Sequence, residues 1–488
     1  MSFDRFSDDV LARGKIGKQI PPITICFEVV STYFIMASEF FISKKTIKNH
    51  TNGGTVLMAA TALALMVVNI PFFHDFYNSL WIHEIELRVG DFNLFSHHGK
   101  PMSIMDFIND ALMAVFFFSV GLEIKREILV GELSSFRQAL LPIVGAVGGM
   151  IAPVVIYFLL ARGTDYSHGA AIPMATDIAF SLGVLAMLGK RVPIGLKIFL
   201  TTLAVVDDIG GILVIAIFYS GAIDYTSLLW AAGGFTILII GGLAGVQLKT
   251  FYVTFGIMVW FLFLQSGIHP TIAGVLVAFC VPANPVYAPK KYIKTIRKTL
   301  SHFSQDDEDK LERRSILSKA QINWLKEIES ASDKVISPLQ DLEDTLHPVV
   351  NYMIVPLFAF ANAGIWLGDV QVSEVFQGVS LAIILGLVLG KFLGIFCFSW
   401  LCIKMKLAPM PDGANWSRLA AVSVLGGIGF TVSLFIANLT FGTGDPYLSH
   451  ILNNAKLGIL VGSLLAGFLG WLLLNLSLPS TPQPEEED

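Results

Sequence analysis

Long apolar runs recur through most of the 488-residue chain and limit its possible folds more than any other feature. A helix needs about 20 apolar residues to cross the hydrocarbon of a bilayer. Runs near this length lie at 54–74, 103–122, 138–161, 168–189, 193–219, 227–247, 251–268, 270–284, 346–367, 377–402, 417–440 and 455–477. Only helices and closed barrels satisfy their backbone polar groups in lipid, and these runs lack the alternation typical of strands. The sequence therefore predicts an all-α polytopic membrane protein with about twelve transmembrane helices.

The composition agrees with this fold class. Only 15% of the residues are charged, against about 25% in soluble domains. The net charge of −5 gives no indication of a nucleic-acid partner. The cysteines lie in or near apolar segments without the spacing of metal ligands, so they are interpreted as unpaired packing residues: Cys26, Cys280, Cys397 and Cys402.

Basic residues fall in alternate loops between the apolar runs. Cytoplasmic loops carry an excess of Lys and Arg, so the pattern predicts that these loops and both termini are cytoplasmic. The residues that set this orientation are Lys44, Lys45, Lys48, Lys125, Arg126, Lys190, Arg191, Lys249, the basic residues of 290–319, Lys404 and Lys406.

Polar segments divide the chain into two transmembrane blocks. Residues 1–50 include the stretch ITICFEVVSTYFIMASEFFI, whose two glutamates favour an interfacial helix over a signal peptide. Alternation around Gly90 and Asp91 predicts a β-hairpin near 81–98, outside the membrane. The predicted segments are a cytoplasmic or interfacial extension at 1–50, a first transmembrane block at 51–284, a charged cytoplasmic linker at 285–344, a second block at 345–478 and an acidic tail at 479–488.

Ionisable residues within the apolar runs are the candidate functional residues, because a charge in hydrocarbon is costly. They are Asp110, Asp177, Asp207, Asp208 and Lys391. One interpretation is that Lys391 simply pairs with an acid to fix helix packing, since a buried ammonium needs a partner. One lysine cannot pair with the three central acids, so at least one acid is left to be neutralised by a proton or another cation.

Asp207 and Asp208 are adjacent in TTLAVVDDIGGILVIAIF, and neighbouring residues on a helix point about 100° apart. One of them can therefore face Lys391 while the other faces a cavity. Removal from water favours the protonated form of a carboxylate, so a buried acid of this kind holds either a proton or a small hard cation. Competition between these two ligands for the same oxygens is the chemistry of an antiporter.

Two of the predicted spans contain helix breakers. Pro173 precedes Asp177 by about one turn, and SVLGGIGFTVSLF places Gly426, Gly427 and Gly429 together in the second block. Each break is compatible with an ordinary helix kink. Non-helical backbone at membrane depth is tolerated only where it is buried in protein or lines a cavity. A broken helix in each block therefore also fits a transport site built from unwound backbone.

With these residues in view, the chain closely resembles the bacterial NhaA-type sodium/proton antiporters over residues 52–477. The motifs that carry the resemblance are FINDALMAVFFFSVGLEIKRE, AIPMATDIAFSLGVLAMLGKRVP, LKIFLTTLAVVDDIGG, LHPVVNYMIVPLFAFANAG, LGKFLGIFCFSWLCIKMKLAPMP and GGIGFTVSLFIA. That family is itself an established example of broken-helix transporters. The resemblance implies two inverted three-helix repeats, whose crossed, broken helices would lie around 171–180 and 423–432.

The resemblance also implies roles for the central residues. Asp207 and Asp208 would bind the transported Na⁺ and exchange protons, and Lys391 would pair with Asp207. Thr176 and Asp177 would lie at the helix crossing. There Asp177 would offset the positive helix N-termini, while Lys391 would offset the opposing C-termini.

Residues nearer the cytoplasm would control transport. By resemblance, Asp110 lines the cytoplasmic approach to the site, and charged residues at its mouth confer activation at alkaline pH. The matching residues are Glu123, Glu127, Glu343 and His347. The family often has histidine where this chain has Asp344, a departure that bears on the pH threshold.

The implied function is electrogenic export of Na⁺ and Li⁺ in exchange for proton uptake, serving sodium and pH homeostasis. It would take place in the bacterial cytoplasmic (inner) membrane without an organic cofactor. Family members dimerise partly through the outer hairpin, so residues 81–98 are the predicted homodimer contact.

Two other classes of membrane protein also use buried acids. A sodium-coupled symporter of a related broken-helix fold needs a roomier, polar-lined site, and the intramembrane lysine beside paired aspartates favours proton exchange instead. An intramembrane aspartyl protease needs a catalytic pair of acids, one from each of two helices and usually in a Gly-x-Gly-Asp context. The motif here is AVVDDIGG, so the sequence predicts a transporter and not an enzyme.

Overall fold

A computed structural model of the chain describes residues 53–86, 88–89, 92–93, 95–97, 100–221, 223–285, 289–305, 319–368, 372–442 and 445–479. The interfacial helix predicted within residues 1–50 lies outside the described residues, as does the acidic tail beyond residue 479.

Helices account for most of the described residues. In chain order they are α1 (Gly53–Asn69), α2 (Pro71–Ile82), α3 (Ile104–Leu129), α4 (Phe136–Ala161), α5 (Ile178–Leu188), α6 (Ile194–Phe218), α7 (Tyr225–Leu243), α8 (Lys249–Ser266), α9 (Pro270–Cys280), α10 (Pro289–Gln305), α11 (Lys319–Val335), α12 (338–362), α13 (Gly378–Lys404), α14 (Trp416–Leu425), α15 (Phe430–Phe441) and α16 (Pro446–Ser477). Stretches of π-helix lie within α3, α12 and α13, at Phe107–Leu112, Val350–Ile354 and Gly386–Gly390. Shorter helical turns are Glu132–Ser134, Ser167–Met174, Gly189–Arg191 and Val372–Val375.

Polar residues at the membrane boundaries define where several of these helices begin. Asp224, Asn415 and Asp445 cap α7, α14 and α16, because their side chains accept hydrogen bonds from backbone N–H groups of the first turn. Ser103 and Asp106 form a reciprocal capping box at the start of α3. Each of these helices therefore starts at a polar residue that satisfies backbone N–H groups of its first turn.

The membrane spans follow the apolar runs of the sequence. Among the described residues, the segments long and apolar enough to cross a membrane are α3, α4, Ser167–Arg191, α6, α7, α13 and α16, together with two bent pairs, α1 with α2 and α14 with α15. The other predicted runs, at 251–268, 270–284 and 346–367, form α8, the 11-residue α9 and much of α12. Every predicted run is therefore helical, which confirms the polytopic α-helical fold.

A small β-structure connects α2 to α3. Its strands are β1 (Glu84–Ile85), β2 (Arg88–Val89), β3 (Phe92–Asn93), β4 (Ser96–His97) and β5 (Lys100–Ser103). β2 pairs with β3 antiparallel, as predicted around Gly90 and Asp91. β5 pairs antiparallel with both β1 and β4 in a second sheet. The predicted hairpin is therefore present, and the sheet beside it extends past residue 98.

The two predicted broken helices cross at their breaks. The helical turn Ser167–Met174 and α5 are separated by an extended segment at 175–177, and α14 and α15 by 426–429. The backbone N–H of Asp177 donates to the carbonyl of Ile428 across the crossing, at 2.6 Å. A side-chain carbon on Gly427 would overlap the Leu387 carbonyl oxygen of α13. Glycine therefore lets unwound backbone of one span approach the next helix directly.

Two glycines also set the distance between α4 and α13. A side-chain carbon built on Gly394 would overlap the carbonyl oxygen of Gly148. A side-chain carbon built on Gly148 would likewise overlap the carbonyl oxygen of Gly394. The backbones of the two helices are thus in contact, as is common at membrane helix interfaces lined by small residues. Lys391 lies one helical turn before this contact, so the crossing fixes where the lysine projects.

We expect Gly394→Ala to lower the thermal stability of the protein in detergent, because overpacking a tight contact costs about 1–3 kcal/mol. Gly233→Ala is the matched control, since a carbon added at Gly233 of α7 meets no atom within 4 Å. A melting curve for each variant gives the comparison. Equal melting of the two variants would contradict the close backbone contact.

Candidate functional site

Five of the predicted residues meet where α6, α13 and the two helix breaks come together. α6 carries the adjacent acids, α13 carries the lysine, and the break before α5 carries the other two residues. Their exposed fractions are 1% for Thr176, 2% for Asp177, 2% for Asp207, 5% for Asp208 and 0% for Lys391. The structure therefore brings these side chains together away from solvent, although Thr176 and Lys391 are 215 residues apart in sequence.

Lys391 forms an ion pair with one of the two adjacent acids. Its Nζ lies 2.5 Å from Oδ2 of Asp207, and both side chains are fully buried. The same Nζ donates to Oγ1 of Thr176 at 2.9 Å. The Thr176 hydroxyl in turn donates to the carbonyl of Gly426 at 2.9 Å. The ammonium charge is thereby linked through one hydroxyl to the C-terminal end of α14, where a cation is stabilising.

Asp177 joins the two broken helices. Its Oδ1 accepts a hydrogen bond from the backbone N–H of Phe180, in the first turn of α5, at 2.9 Å. Its Oδ2 accepts from both the backbone N–H and the hydroxyl of Thr431, in the first turn of α15, at 3.1 and 2.7 Å. Each helix N-terminus carries roughly half a positive charge. Two such termini offset the single negative charge of Asp177.

Among the described residues, Asp208 and one oxygen of Asp207 are left without partners. Oδ1 of Asp207 is buried and accepts no hydrogen bond within the described residues. No hydrogen bond or ion pair reaches the Asp208 side chain from the part of the chain that is described. The charges of Asp207, Glu123, Asp177 and Lys391 act on it instead. A buried carboxylate with no compensating partner is costly, so Asp208 needs a proton or a cation.

The charge balance of the site follows from these contacts. Lys391 compensates Asp207, and two helix N-termini compensate Asp177, which leaves the charge of Asp208 over. Its carboxylate and the free oxygen of Asp207 belong to adjacent residues of α6. This arrangement can take up a small cation or protons, because either neutralises the surplus charge.

Three of the predicted pH-response residues lie together at the end of α3. Nε of Arg126 donates to both carboxylate oxygens of Glu343, at 2.8 and 3.1 Å, and its Nη1 lies 2.9 Å from Glu127. The charges of Glu343, Arg126 and Glu127 act on Glu123. A cavity of about 420 Å³ opens beside them, lined by Arg126, Ile336, Gln340, Glu343 and Asp344.

Two other predicted residues lie apart from this cluster. His347 is exposed, and its imidazole Nε2 is 2.9 Å from the side-chain amide of Asn351. Asp110 lies in the π-helical stretch at the β5 end of α3, with Oδ1 3.8 Å from Nε2 of His269. The structure therefore separates Asp110 from Glu123, with which the sequence had grouped it at one approach.

Thr431 and Arg126 contribute more than the sequence indicated. Thr431 supplies two of the three hydrogen bonds to Asp177, and Arg126 holds Glu343 and Glu127 together. The position of Thr431 directly after GGIGF was the available signal, since residues that follow a helix break have free N–H groups. Arg126 was interpreted only as a topology determinant.

Thr431→Val should lower the stability of the protein by about 1.5–3 kcal/mol, because it removes a hydrogen bond to a buried charged group. Thr431→Ser keeps the hydroxyl and serves as the control. Thermal melting of both variants in the same detergent measures the difference. Valine and serine variants that melt alike would show that the hydroxyl of Thr431 does not stabilise Asp177.

The chain is similar to known transport proteins over most of its length. A sequence model of the family described as Na⁺/H⁺ antiporter 1 matches residues 44–474. The Na(+)/H(+) antiporter NhaA of Phocaeicola vulgatus is 55% identical over 440 residues, which cover 89% of this chain and 96% of that protein. The proteins of the same name from Bacteroides fragilis and Porphyromonas gingivalis are 54% and 47% identical, covering 87% and 88% of this chain and 95% and 94% of their own lengths.

Proposed function

The chain belongs to the Na⁺/H⁺ antiporter 1 family, and from this premise we propose how its site exchanges the two ions. It is an integral membrane transporter that exchanges Na⁺ for H⁺, and not an enzyme. The antiport predicted from the sequence is confirmed, and the family membership decides against the symporter and protease alternatives.

The observation that carries the proposed mechanism is the surplus carboxylate beside an ion pair. Na⁺, as the transported substrate, would bind the Asp208 carboxylate and the free Oδ1 of Asp207, since a hard cation prefers oxygen ligands. Lys391 holds the other oxygen of Asp207 at 2.5 Å. Protons would displace Na⁺ from the same oxygens, so the site is occupied by one kind of ligand at a time.

Two acids also account for electrogenic exchange. If Asp207 and Asp208 each take up a proton when Na⁺ leaves, more protons than sodium ions cross per cycle, and the ammonium of Lys391 then carries the net positive charge of the site. The net inward charge is then driven by the membrane potential, which supplies about 2.3 kcal/mol per charge for each 100 mV. The driving force is the proton gradient and the potential, so the proposed cycle uses no cofactor.

The test uses everted membrane vesicles with an acidic interior and a pH-sensitive dye. NaCl, LiCl and KCl are added in separate pulses at several pH values. The Na⁺ and Li⁺ pulses should dequench the dye, because both ions fit a site made of carboxylate oxygens. A dye response to Na⁺ that does not grow with the imposed membrane potential would overturn the electrogenic cycle. Lack of response to Li⁺ would limit the transported ions to Na⁺.

We propose that the cluster of Arg126 with Glu123, Glu127 and Glu343 gives activation at alkaline pH. These residues support the proposal because their charged side chains lie together at the end of α3. His347 would take part from its exposed position on α12. Transport then rises as protons leave the cluster and the site.

Glu343→Gln should shift the pH profile of transport toward lower pH. Loss of one negative charge makes the mouth more positive, which favours loss of protons from the remaining acids. A unit charge about 10 Å away is worth roughly 0.4–1.7 kcal/mol, so the expected shift is about half a pH unit. Asp341→Asn is the control, because Asp341 lies on the same stretch of α12 as Glu343 but pairs with Lys249, at the start of α8, at 2.6 Å. A profile unchanged by Glu343→Gln would remove this residue from the pH response.

The protein would lie in the bacterial inner membrane. The distribution of Lys and Arg among its loops supports a cytoplasmic location for both termini. The paired strands between α2 and α3 support residues 81–98 as a homodimer contact, since exposed strand edges pair readily with another chain. Deletion of β2 and β3 should convert the protein to a monomer in native mass spectrometry.

A further inference from the structure

The helices α10 and α11, between the two transmembrane blocks, lie outside the ion site and form an antiparallel pair. The hydroxyls of Tyr292, near the start of α10, and Ser332, near the end of α11, are 3.2 Å apart. At the base of this pair, the backbone N–H of Leu339 donates to the carbonyl of Pro282 at 3.2 Å. Pro282 follows α9, and Leu339 lies in the first turn of α12. The base of the pair is therefore fixed to the ends of two bundle helices.

One face of α10 carries basic and apolar side chains together, and we call it the cationic stripe. It consists of Lys290, Ile293, Lys294, Arg297 and Leu300, which recur at the spacing of three or four residues that shares a helix face. All five are exposed, and Ile293 and Leu300 are exposed to 48% and 52%. Large aliphatic residues among cations on an open face indicate a partner that is both apolar and anionic.

The charge of α10 is one-sided. Residues 289–305 contain five Lys or Arg and no Asp or Glu. In the described part of the chain, Lys290, Lys294 and Arg297 take no ion pair or hydrogen bond. Residues 319–335 of α11, by contrast, contain three lysines and three acids. The net positive charge of the pair of helices is thus concentrated on α10, and three of its five basic residues take no neutralising partner within the described residues.

We propose that the cationic stripe binds anionic phospholipid headgroups of the membrane in which the chain is embedded. Amphipathic helices with Lys and Arg on one side of an apolar strip bind at the headgroup boundary, and basic clusters beside membrane spans bind anionic lipids. The hydrogen bond between Leu339 and Pro282 holds the base of the helix pair, where α10 begins, next to the end of the bundle helix α9. A lipid surface supplies anionic headgroups for the cations and an apolar layer for the exposed Ile293 and Leu300.

The experiment measures hydrogen–deuterium exchange of residues 289–305 by mass spectrometry, in the full-length protein in lipid nanodiscs. One set of nanodiscs contains phosphatidylcholine alone and the other contains phosphatidylcholine with phosphatidylglycerol. Each basic side chain near an anionic surface contributes about 1 kcal/mol, or about fivefold in binding. Three such residues should slow exchange of α10 by up to roughly a hundredfold in the anionic nanodiscs, and high salt should reverse the effect.

A matched pair of variants identifies the residues responsible. The double change Lys294→Glu and Arg297→Glu should abolish the slowing by phosphatidylglycerol. The double change Lys319→Glu and Lys326→Glu alters the charge of α11 by the same amount at exposed positions and should leave it in place. Exchange that is independent of lipid composition would overturn the proposal. Equal protection in detergent and in both nanodiscs would overturn it as well, because protein, either the chain's own acidic residues or a second copy, would then cover the stripe.

Discussion

Asp208→Asn should abolish Na⁺-dependent proton movement in everted vesicles, and Asp207→Asn should do the same. An amide keeps the size of the carboxylate but cannot release a proton or supply a charged oxygen. Because Asp208 is the carboxylate without a compensating partner among the described residues, its replacement removes the surplus charge that attracts the ion. Proton transfer groups contribute about 10²–10⁴-fold to a rate, so exchange is expected to fall to background.

The control for this prediction is Asp224→Asn. Asp224 caps α7 outside the membrane spans, and asparagine is an equally good cap. Hydrogen bonds from the hydroxyl and backbone N–H of Ser227 hold the pKa of Asp224 below its usual value, so it takes no part in proton exchange near neutral pH. Asp224→Asn should therefore transport normally. Substantial exchange in both Asp207→Asn and Asp208→Asn, with dye response and expression matched, would contradict the assignment of the site.

Lys391→Met should destabilise the protein by about 3–5 kcal/mol, the cost of removing one partner of a buried ion pair. Methionine fills nearly the same volume, so the loss reports the orphaned Asp207 carboxylate rather than a cavity. Thermal melting in detergent measures the change. The loss should be smaller at low pH, because protonation of Asp207 removes the uncompensated charge, and larger at high pH, where the carboxylate stays ionised.

Lys456→Met provides the matched control for Lys391→Met. Lys456 is also buried, at 8% exposure, but no ion pair or hydrogen bond reaches it within the described residues. Its replacement leaves no acid behind, so we expect no loss of stability. The double change Lys391→Met and Asp207→Asn should recover most of the stability that the single change Lys391→Met removes. A double variant as unstable as Lys391→Met would show that the pair contributes little.

The cost of burying charge made the centre of the site predictable from the sequence. Asp177, Asp207, Asp208 and Lys391 stand out in apolar runs because each needs a neutralising partner, and the structure places them together. Which acid pairs with Lys391 does not follow from that argument. It depends on the rotation of α6 relative to α13, and both helices pack against α4, where Gly145 lies close to Leu203 of α6 and Ser399 of α13. The resemblance to a known family supplied this assignment.

Other parts of the site left a weaker signal. Threonine is uncharged and common in membrane helices, so nothing in the chemistry of Thr431 marks it as a partner of Asp177. The placement of Asp110 with Glu123 at the cytoplasmic approach came from the family resemblance. A helix rises 1.5 Å per residue, which places these two residues about 20 Å apart. That distance follows from helix geometry alone, so the sequence was sufficient to separate them.

Asp177 and Asp207 are synthesised well before the residues of the second block that they contact. Lys391 follows Asp207 by 184 residues, and Thr431 follows Asp177 by 254. At a synthesis rate of about 5–20 residues per second, the ribosome needs roughly 10–40 s to add the lysine after the aspartate. During that interval Asp207 has no ammonium beside it, and Asp177 has the N-terminus of α5 but not the hydrogen bonds from Thr431. The nascent first block must therefore hold these acids protonated or close to water. Their environment is complete only after the second block has inserted.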